Sequence, residues 1–281
     1  MDATTPVDTS PGTLRLDGHV IHDTEDHGLL DVTGVLTHSS NVGATKIALT
    51  LDTKHMYDVF RRFGFGSSTG SGFPGESAGV LPPGNTWSEV RKATISYGYG
   101  VSVTALQLAR AYAALGDDGR MHTPTFLKST GDAGVAVIDP QIAHELVDML
   151  ETVVSPDGTG LKAAVANYSV AGKTGTSHIA SGGGYSNRYI SLFVGLAPAS
   201  NPRLVVVAEI KDPTAGSYYA SQVAAPLFSQ VMTGALRLLD VPPDNVRRWY
   251  VGAPDTGAPI SGSAAPDYAP GNDNYQEGAQ P

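Results

Sequence analysis

The chain has 281 residues, enough for one sizeable hydrophobic core or two small ones, and its formal net charge is −9. Because proteins bind nucleic acids through clustered lysine and arginine side chains, this acidic balance argues against a nucleic-acid partner. The absence of cysteine excludes disulfides, thiolate catalysis and cysteine-ligated zinc. The sequence has no signal-peptide pattern and no apolar run long enough to cross a bilayer, so we expect neither an export signal nor a membrane anchor within it.

The first third of the chain combines strand, helix and loop patterns. Residues 1–37 alternate short β-prone pieces with turns, and apolar residues around an Asp-Gly pair predict a hairpin over residues 13–21. Helical spacing of apolar residues begins at Asn41, and a second short helix is predicted to stop at Gly64. Residues 64–87 are rich in Gly, Ser and Pro, and we expect an ordered loop that is pinned by Phe65, Phe73, Val80 and Leu81.

The rest of the chain predicts helices around a small sheet. Apolar spacing predicts three helices, over residues 104–115, 140–153 and 222–239. Three strands with short, turn-rich connectors predict an antiparallel meander over residues 168–177, 189–197 and 204–210. This combination indicates an α+β fold. Few apolar residues follow residue 248, so we predict a domain over residues 1–247 and a disordered tail over residues 248–281.

A Lys-Thr-Gly-Thr sequence at residues 173–176 lies within the first of these strands. Lys173 offers a positive charge, the two threonines offer hydroxyl donors, and Gly175 lets a substrate backbone approach closely. If the strand lies at a sheet edge, it can also pair with an extended peptide. Two alternatives are a surface strand with an incidental lysine and a nucleotide-binding P-loop. The P-loop is disfavoured because Asn167 occupies the position of its first glycine.

A Ser-Ser-Asn sequence at residues 39–41 stands at the start of a predicted helix. Alone, it is most simply a helix N-cap, since Ser and Asn are among the commonest capping residues. Its pairing with Lys-Thr-Gly about 130 residues later favours a different interpretation. The two sequences match the second and third motifs of a penicillin-recognising serine acyltransferase.

Many collinear segments between residues 8 and 245 resemble class B penicillin-binding proteins, the peptidoglycan D,D-transpeptidases, and above all their septal, division-specific branch. The resemblance is carried by residues 31–43, 73–77, 96–100, 104–109, 171–176, 196–199 and 223–228. It implies a transpeptidase domain of the penicillin-binding and serine β-lactamase-like fold, in which helices flank an antiparallel sheet. It also implies that the chemistry needs no cofactor and no metal.

The resemblance assigns roles residue by residue. The second motif is Ser39 and Asn41, of which the serine would relay a proton to the leaving amine and the asparagine would hold the substrate amide. The third motif is Lys173, Thr174 and Gly175. The hydroxyls of Thr174 and Thr176 would bind the carboxylate of a substrate or penicillin, and the Thr176 N–H would supply half of the oxyanion hole.

The resemblance also implies further contacts and partners. Tyr99 and Tyr219 match aromatic positions that line the cleft in the septal branch, although ordinary core or loop aromatics are an equal alternative. The implied partners are peptidoglycan stem peptides, β-lactam antibiotics and proteins of the division complex. The implied location is the periplasmic face of the bacterial inner membrane.

The motif that supplies the nucleophile in this family, Ser-x-x-Lys, does not occur in the chain. Thr125 and Thr159 have a lysine at the required spacing, but both lie between the second and third motifs, which excludes them by collinearity. We therefore expect an N-terminally truncated transpeptidase domain that is inactive alone. The alternatives are a non-catalytic domain that binds a division partner or wall peptide and, less favoured, a serine β-lactamase-like hydrolase.

Histidines outside these motifs carry weaker signals. His19, His22 and His27 lie in an acidic stretch, but their spacing fits no zinc motif, so we expect a solvated hairpin there. His178, just after the third motif, is expected to be a surface-loop residue near the cleft.

Overall fold

The computed structural model describes residues 1–128, 131–181 and 184–246, so the predicted disordered tail over residues 248–281 lies outside the described residues. The described residues form helices α1 (Val32–Thr37), α2 (Asn41–Thr50), α3 (Thr53–Arg62), α4 (Glu89–Ser96), α5 (Ala105–Leu115), α6 (Pro140–Thr152) and α7 (Ala224–Leu238). Short 3₁₀ turns occupy Gly84–Thr86 and Leu161–Ala163. Among these helices, none is both long and apolar enough to cross a membrane.

Nine strands pair in four small antiparallel sheets within the described residues. They are β1 (Pro6–Asp8), β2 (Thr13–Leu16), β3 (His19–His22), β4 (Leu29–Asp31), β5 (Arg120–Met121), β6 (Val135–Ala136), β7 (Ala171–Ser181), β8 (Gly184–Ala197) and β9 (Leu204–Lys211). The pairs are β1 with β4, β2 with β3 and β5 with β6, and the largest sheet has the order β7-β8-β9. The predicted hairpin and the predicted meander are therefore both confirmed.

The β7-β8-β9 sheet lies between helices, because both of its faces are apolar. Phe193 of β8 packs against Phe228 of α7 on one face, with ring centroids 4.6 Å apart. On the other face, Leu196 of β8 packs with Val147 and Leu150 of α6. Alternate residues of a strand point to opposite faces, so odd and even positions of β8 serve different cores. The α+β prediction is thus confirmed, with helices flanking an antiparallel sheet.

Several predicted boundaries differ from those observed. Residues 32–37 form α1, although turns and strand pieces were predicted there, because the Asp31 side chain accepts a hydrogen bond from the Gly34 N–H at 2.7 Å and caps the helix. Helix α4 was not predicted, and Ser88 caps it in the same way. The first strand of the meander begins and ends later than predicted, at Ala171 and Ser181.

The loop over residues 64–87 is held mainly by polar contacts. Phe65 and Leu81 pack against the protein as predicted. Phe73 and Val80 are 61% and 60% exposed, so their side chains are not buried in a core. The ring of Phe73 contacts that of Phe126, and Val80 pairs with Ser102 through its backbone. The loop is also fixed by Gln107 of α5, which is 1% exposed. Its Nε2 donates to the carbonyls of Ser67 and Ala78 at 2.8 and 2.9 Å, and its Oε1 accepts from the Thr104 N–H.

Candidate active site

The turn between α1 and α2 separates the two serines of the Ser-Ser-Asn motif. Ser40 is the N-cap of α2, because its Oγ accepts a hydrogen bond from the Gly43 N–H at 2.8 Å. The helix-cap interpretation is therefore right for Ser40, but it does not extend to Ser39. Ser39 has a left-handed backbone with a φ of +59°, which is uncommon for a residue other than glycine. Its side chain does not cap the helix, since Ser40 does so.

Lys173 joins the second and third motifs across the chain. Its Nζ donates to Ser39 Oγ at 2.7 Å, a contact between residues 134 positions apart, and to the Thr174 carbonyl at 3.2 Å. Burial lowers the pKa of the Lys173 amine from its usual 10.5 to about 8. Within the described residues, no carboxylate forms a salt bridge with this amine. The amine thus contacts neutral oxygens and is poised to exchange a proton near neutral pH.

Asn41, the third residue of the second motif, has its side-chain amide fixed by the N-terminal hairpin. Its Nδ2 donates to the His22 carbonyl at the end of β3 at 3.0 Å. Because the amino group is held in this way, the Oδ1 atom has a fixed direction and can accept from a ligand N–H.

The two threonines of the third motif differ in how their hydroxyls are held. Thr174 Oγ1 lies 2.9 Å from Thr159 Oγ1. Thr176 Oγ1 accepts a hydrogen bond from the Ala220 N–H at 2.9 Å. A hydroxyl has one hydrogen to donate, so this acceptor role leaves the Thr176 O–H available to an anionic ligand.

Gly175 is not required by packing in the described structure. A Cβ built at this position would meet only Leu192, at 3.7 Å, which is an ordinary contact. By contrast, a Cβ at Gly172 would lie 2.7 Å from the ring of Phe193 and 2.7 Å from the Val194 carbonyl. Core packing therefore requires glycine at residue 172, just before the motif. Gly175, inside the motif, instead leaves open space at the surface of the strand.

Strand β7 is an edge strand, since it pairs with β8 and with no other described strand. Its outer edge can therefore pair with an extended peptide.

Aromatic rings surround the end of this strand. The Tyr99 hydroxyl accepts a hydrogen bond from the His178 N–H at 3.3 Å, and its ring lies 5.0 Å from that of Tyr185. The expectation of a surface-loop histidine is wrong, because His178 lies within β7 and its Nδ1 is 2.9 Å from the Ser186 carbonyl. Tyr219 is 51% exposed and precedes Ala220, the residue that contacts Thr176.

Two of the supporting residues carried no usable sequence signal. Thr159 has a lysine at nucleophile spacing, yet its hydroxyl lies against that of Thr174. That lysine, Lys162, donates to Gln222 Oε1 at 2.5 Å. Ala220 contributes only its backbone N–H, which no residue pattern reveals. Both contacts arise from the packing of distant segments against β7.

The acidic, histidine-containing stretch is only partly the solvated hairpin that was expected. His19 and His22 are exposed, but the side chain of His27 is 9% exposed and its ring stacks on that of His38 at 5.0 Å. Within the part of the chain that the structure describes, no cluster of three His, Asp or Glu side chains could hold a metal ion.

One motif at a helix start and the other on the edge strand of an antiparallel sheet correspond to a known protein family. The family model for the penicillin binding protein transpeptidase domain matches residues 1–233. The chain belongs to this family. The similarity to transpeptidases named FtsI and PenA confirms the class B, septal resemblance that the sequence indicated.

The relatives and solved structures agree on the family. The chain is 42% identical over 248 residues to the probable peptidoglycan D,D-transpeptidase PbpC of Pseudomonas aeruginosa, covering 88% of this chain and 44% of that protein. It is 42% identical over 232 residues to the peptidoglycan D,D-transpeptidase FtsI of Escherichia coli K12, covering 82% and 40%. The apo transpeptidase domain of Burkholderia pseudomallei penicillin-binding protein 3 superposes with a TM-score of 0.82 at 43% identity, covering 86% of this chain and 74% of that one.

The chain spans less than half the length of these two curated relatives. The transpeptidase fold is nevertheless evident, because the similarity extends over most of the described residues.

Proposed function

We propose that the chain forms the substrate-receiving half of the active site of a septal peptidoglycan D,D-transpeptidase. In the reaction of the whole enzyme, a serine attacks the D-Ala-D-Ala carbonyl of a stem peptide and expels the last D-Ala. The amine of a second stem peptide then takes the acyl group, which completes a crosslink. The observation that carries this proposal is the 2.7 Å contact between Lys173 Nζ and Ser39 Oγ, which joins two motifs of the family.

Ser39 and Lys173 act together as the proton-transfer unit. The leaving D-Ala amine needs a proton, and Ser39 Oγ can give its own while taking another from the adjacent Lys173 ammonium. An amine with a pKa near 8 is suited to this task, because it gains and loses a proton readily at neutral pH. Asn41 holds the substrate amide through its Oδ1, which the His22 contact fixes.

Binding of the substrate uses the rest of β7. The Thr176 O–H donates to the terminal carboxylate, assisted by Thr174 and by the positive charge of protonated Lys173. The backbone N–H of Thr176 supplies half of the oxyanion hole. The open edge of β7 aligns the extended stem peptide. Tyr99 contacts His178 of this strand, and Tyr219 precedes Ala220, which contacts Thr176.

The same groups would receive β-lactam antibiotics, whose carboxylate resembles that of the stem peptide. By the family resemblance, we also propose contacts with division-complex proteins and a location at the periplasmic face of the bacterial inner membrane. Because the chain contains no Ser-x-x-Lys, we propose that it is inactive alone.

The first experiment incubates the isolated chain with a fluorescent penicillin and looks for covalent labelling after denaturing electrophoresis. We expect no label, and a labelled band would contradict the proposal that the nucleophile is absent.

The second experiment tests binding without turnover. Saturation-transfer NMR should detect weak binding of N-acetyl-D-Ala-D-Ala to the chain. Lys173→Met and Thr176→Val should abolish the signal, because they remove the positive charge and the hydroxyl donor. Thr86→Val serves as the matched control, since the Thr86 hydroxyl donates to its own turn at Pro83. Equal signals from all variants would contradict the proposed site.

A further inference from the structure

The acidic stretch after β3 supplies a carboxylate that acts on the second motif. Asp23 Oδ2 accepts a hydrogen bond from Ser40 Oγ at 2.5 Å, and its Oδ1 accepts one from the Val42 N–H at 3.0 Å. A single carboxylate therefore binds both a side chain and a backbone group on the C-terminal side of Ser39. Hydrogen bonds to an ionised acceptor are shorter and stronger than those between neutral groups.

Asp23 is itself held in place by the hairpin. Its backbone N–H donates to the Gly12 carbonyl at 2.9 Å. Gly12 has a φ of +74°, and a Cβ built there would lie 2.9 Å from the Glu25 carbonyl, so only glycine fits this crossing. The neighbouring His22 carbonyl accepts from Asn41 Nδ2. Two consecutive residues at the end of β3 thus contact three consecutive residues of the α1–α2 junction.

The turn at Ser39 needs such support, because residues other than glycine seldom adopt its left-handed backbone conformation. On its N-terminal side, the Ser39 N–H donates to the Leu36 carbonyl at 3.2 Å. On its C-terminal side, the Ser40 N–H donates to the Val35 carbonyl at 3.0 Å, and Ser40 Oγ then reaches Asp23. Without Asp23, this turn would lose both carboxylate contacts, while its backbone hydrogen bonds, the Ser40 cap and the Asn41–His22 bond would remain.

We propose that Asp23 is a positioning residue for the second motif: it holds Ser40 and Val42 so that Ser39 keeps the backbone conformation that places its Oγ on Lys173. Asp23 touches neither the substrate nor the reacting atoms and acts only through Ser40 and Val42. This inference rests on the proposed function for its catalytic meaning, but its geometric content can be tested without any turnover.

The contacts of Asp23 favour a structural role over an electrostatic effect at a distance. Other titratable side chains near Asp23 or Ser39 in the sequence include His22, Glu25, Asp26, His27, Asp31 and His38. Of these, His27 stacks on His38, and its Nδ1 lies 3.8 Å from Glu25. The two hydrogen bonds of Asp23 instead go to the junction that carries Ser39.

The test measures the Ser39–Lys173 contact directly by NMR in the chain labelled at serine Cβ and lysine Cε. The wild-type chain should give a nuclear Overhauser effect between Ser39 Hβ and Lys173 Hε, and the Lys173 amine should titrate near pH 8. In Asp23→Ala, we expect loss of this cross-peak and a rise of the titration midpoint toward 10.5, because water reaches the amine once the turn loosens.

Asp52→Ala is the matched control for general loss of a helix cap. The Asp52 side chain accepts from the His55 N–H at 3.0 Å and caps α3 without contacting the motif. This variant should keep the cross-peak and the wild-type titration. Asp23→Asn retains an oxygen acceptor for the Val42 N–H and should restore part of the cross-peak intensity.

The proposal is overturned if folded Asp23→Ala keeps the cross-peak and titrates like the wild type, or if Asp52→Ala loses both to the same extent. If Asp23→Ala shows no cooperative thermal unfolding, Ser40→Ala decides the question, because it breaks the same link from the other side. An unchanged cross-peak in folded Ser40→Ala would equally refute the positioning role. None of these outcomes depends on whether the chain takes part in transpeptidation.

Discussion

Two glycines three positions apart on β7 should respond in opposite ways to the same added methyl group. Gly172→Ala places a Cβ 2.7 Å from the buried ring of Phe193, whereas Gly175→Ala places one 3.7 Å from Leu192. Phe193 cannot move aside easily, since it is fully buried and packs on Phe228 at 4.6 Å. Comparing the two variants therefore separates a glycine needed for core packing from a glycine needed for ligand binding.

The expected free energies of unfolding follow from these contacts. Overpacking of a tight core costs about 1–3 kcal/mol, and replacing a strand glycine by alanine returns roughly 0.5–1 kcal/mol of backbone entropy. Gly172→Ala should thus lose ~1–2 kcal/mol. Gly175→Ala should gain up to ~1 kcal/mol, because no clash opposes the entropy term. For a chain of this size, each kcal/mol shifts Tm by roughly 2–4 °C.

Thermal unfolding and saturation-transfer NMR with N-acetyl-D-Ala-D-Ala measure the two requirements separately. Gly172→Ala should have a lower Tm but bind the peptide well below that temperature. Gly175→Ala should have an equal or higher Tm but lose the binding signal, because its methyl group occupies the space into which the ligand backbone comes. The reasoning fails if Gly175→Ala binds like the wild type, or if Gly172→Ala is as stable as Gly175→Ala.

Three further predictions use other parts of the structure. Because the Lys173 pKa is about 8, binding of the anionic peptide to the wild-type chain should weaken as pH rises from 7 to 9, and a pH-independent NMR signal would contradict this. Hydrogen bonds to Asp117 and Asp132 raise the pKa of His122 above 6.5 in the folded chain. The contribution of these bonds to the free energy of unfolding should therefore be complete below pH 6.5 and be lost as pH rises through the pKa of His122 in the folded chain. Urea unfolding of His122→Gln should show a flatter pH dependence than the wild type, and identical curves would refute this. Gln107→Ala should lower the free energy of unfolding by ~1–3 kcal/mol, since it removes the donor to two partly buried carbonyls. Limited proteolysis of this variant should then cut within residues 64–80. As a control, Gln141→Ala at an exposed position should change neither the free energy of unfolding nor the cleavage pattern.

Those parts of the fold that depend on local sequence were predictable. The hairpin β2–β3 follows from apolar residues around Asp-Gly, and the meander follows from three strands with short connectors. The motif on β7 was placed on the right strand because Lys-Thr-Gly lies inside a β-prone run. These elements follow from the spacing of apolar residues and from turn residues, so they can be predicted without knowledge of distant contacts.

Features set by distant contacts were not predictable. Nothing near Ser39 specifies a left-handed backbone, because the support comes from Asp23 and from the α1–α2 corner. Residues 32–37 contain β-branched side chains, yet a single carboxylate at Asp31 is enough to start α1. His178 was assigned to a loop because the strand was expected to stop earlier, whereas pairing with β8 extends it.

The open edges of the β7-β8-β9 sheet have a consequence for the behaviour of the chain in concentrated solution. Among the described strands, β7 and β9 each pair with β8 alone, so neither outer edge has a strand partner, although side chains of Tyr99 and Lys173 contact two backbone groups of β7. Any extended segment can add to such an edge, including a segment of another copy. We therefore expect self-association that grows with protein concentration, which sedimentation would detect. A peptide that occupies β7 should slow it, while the β9 edge would stay open.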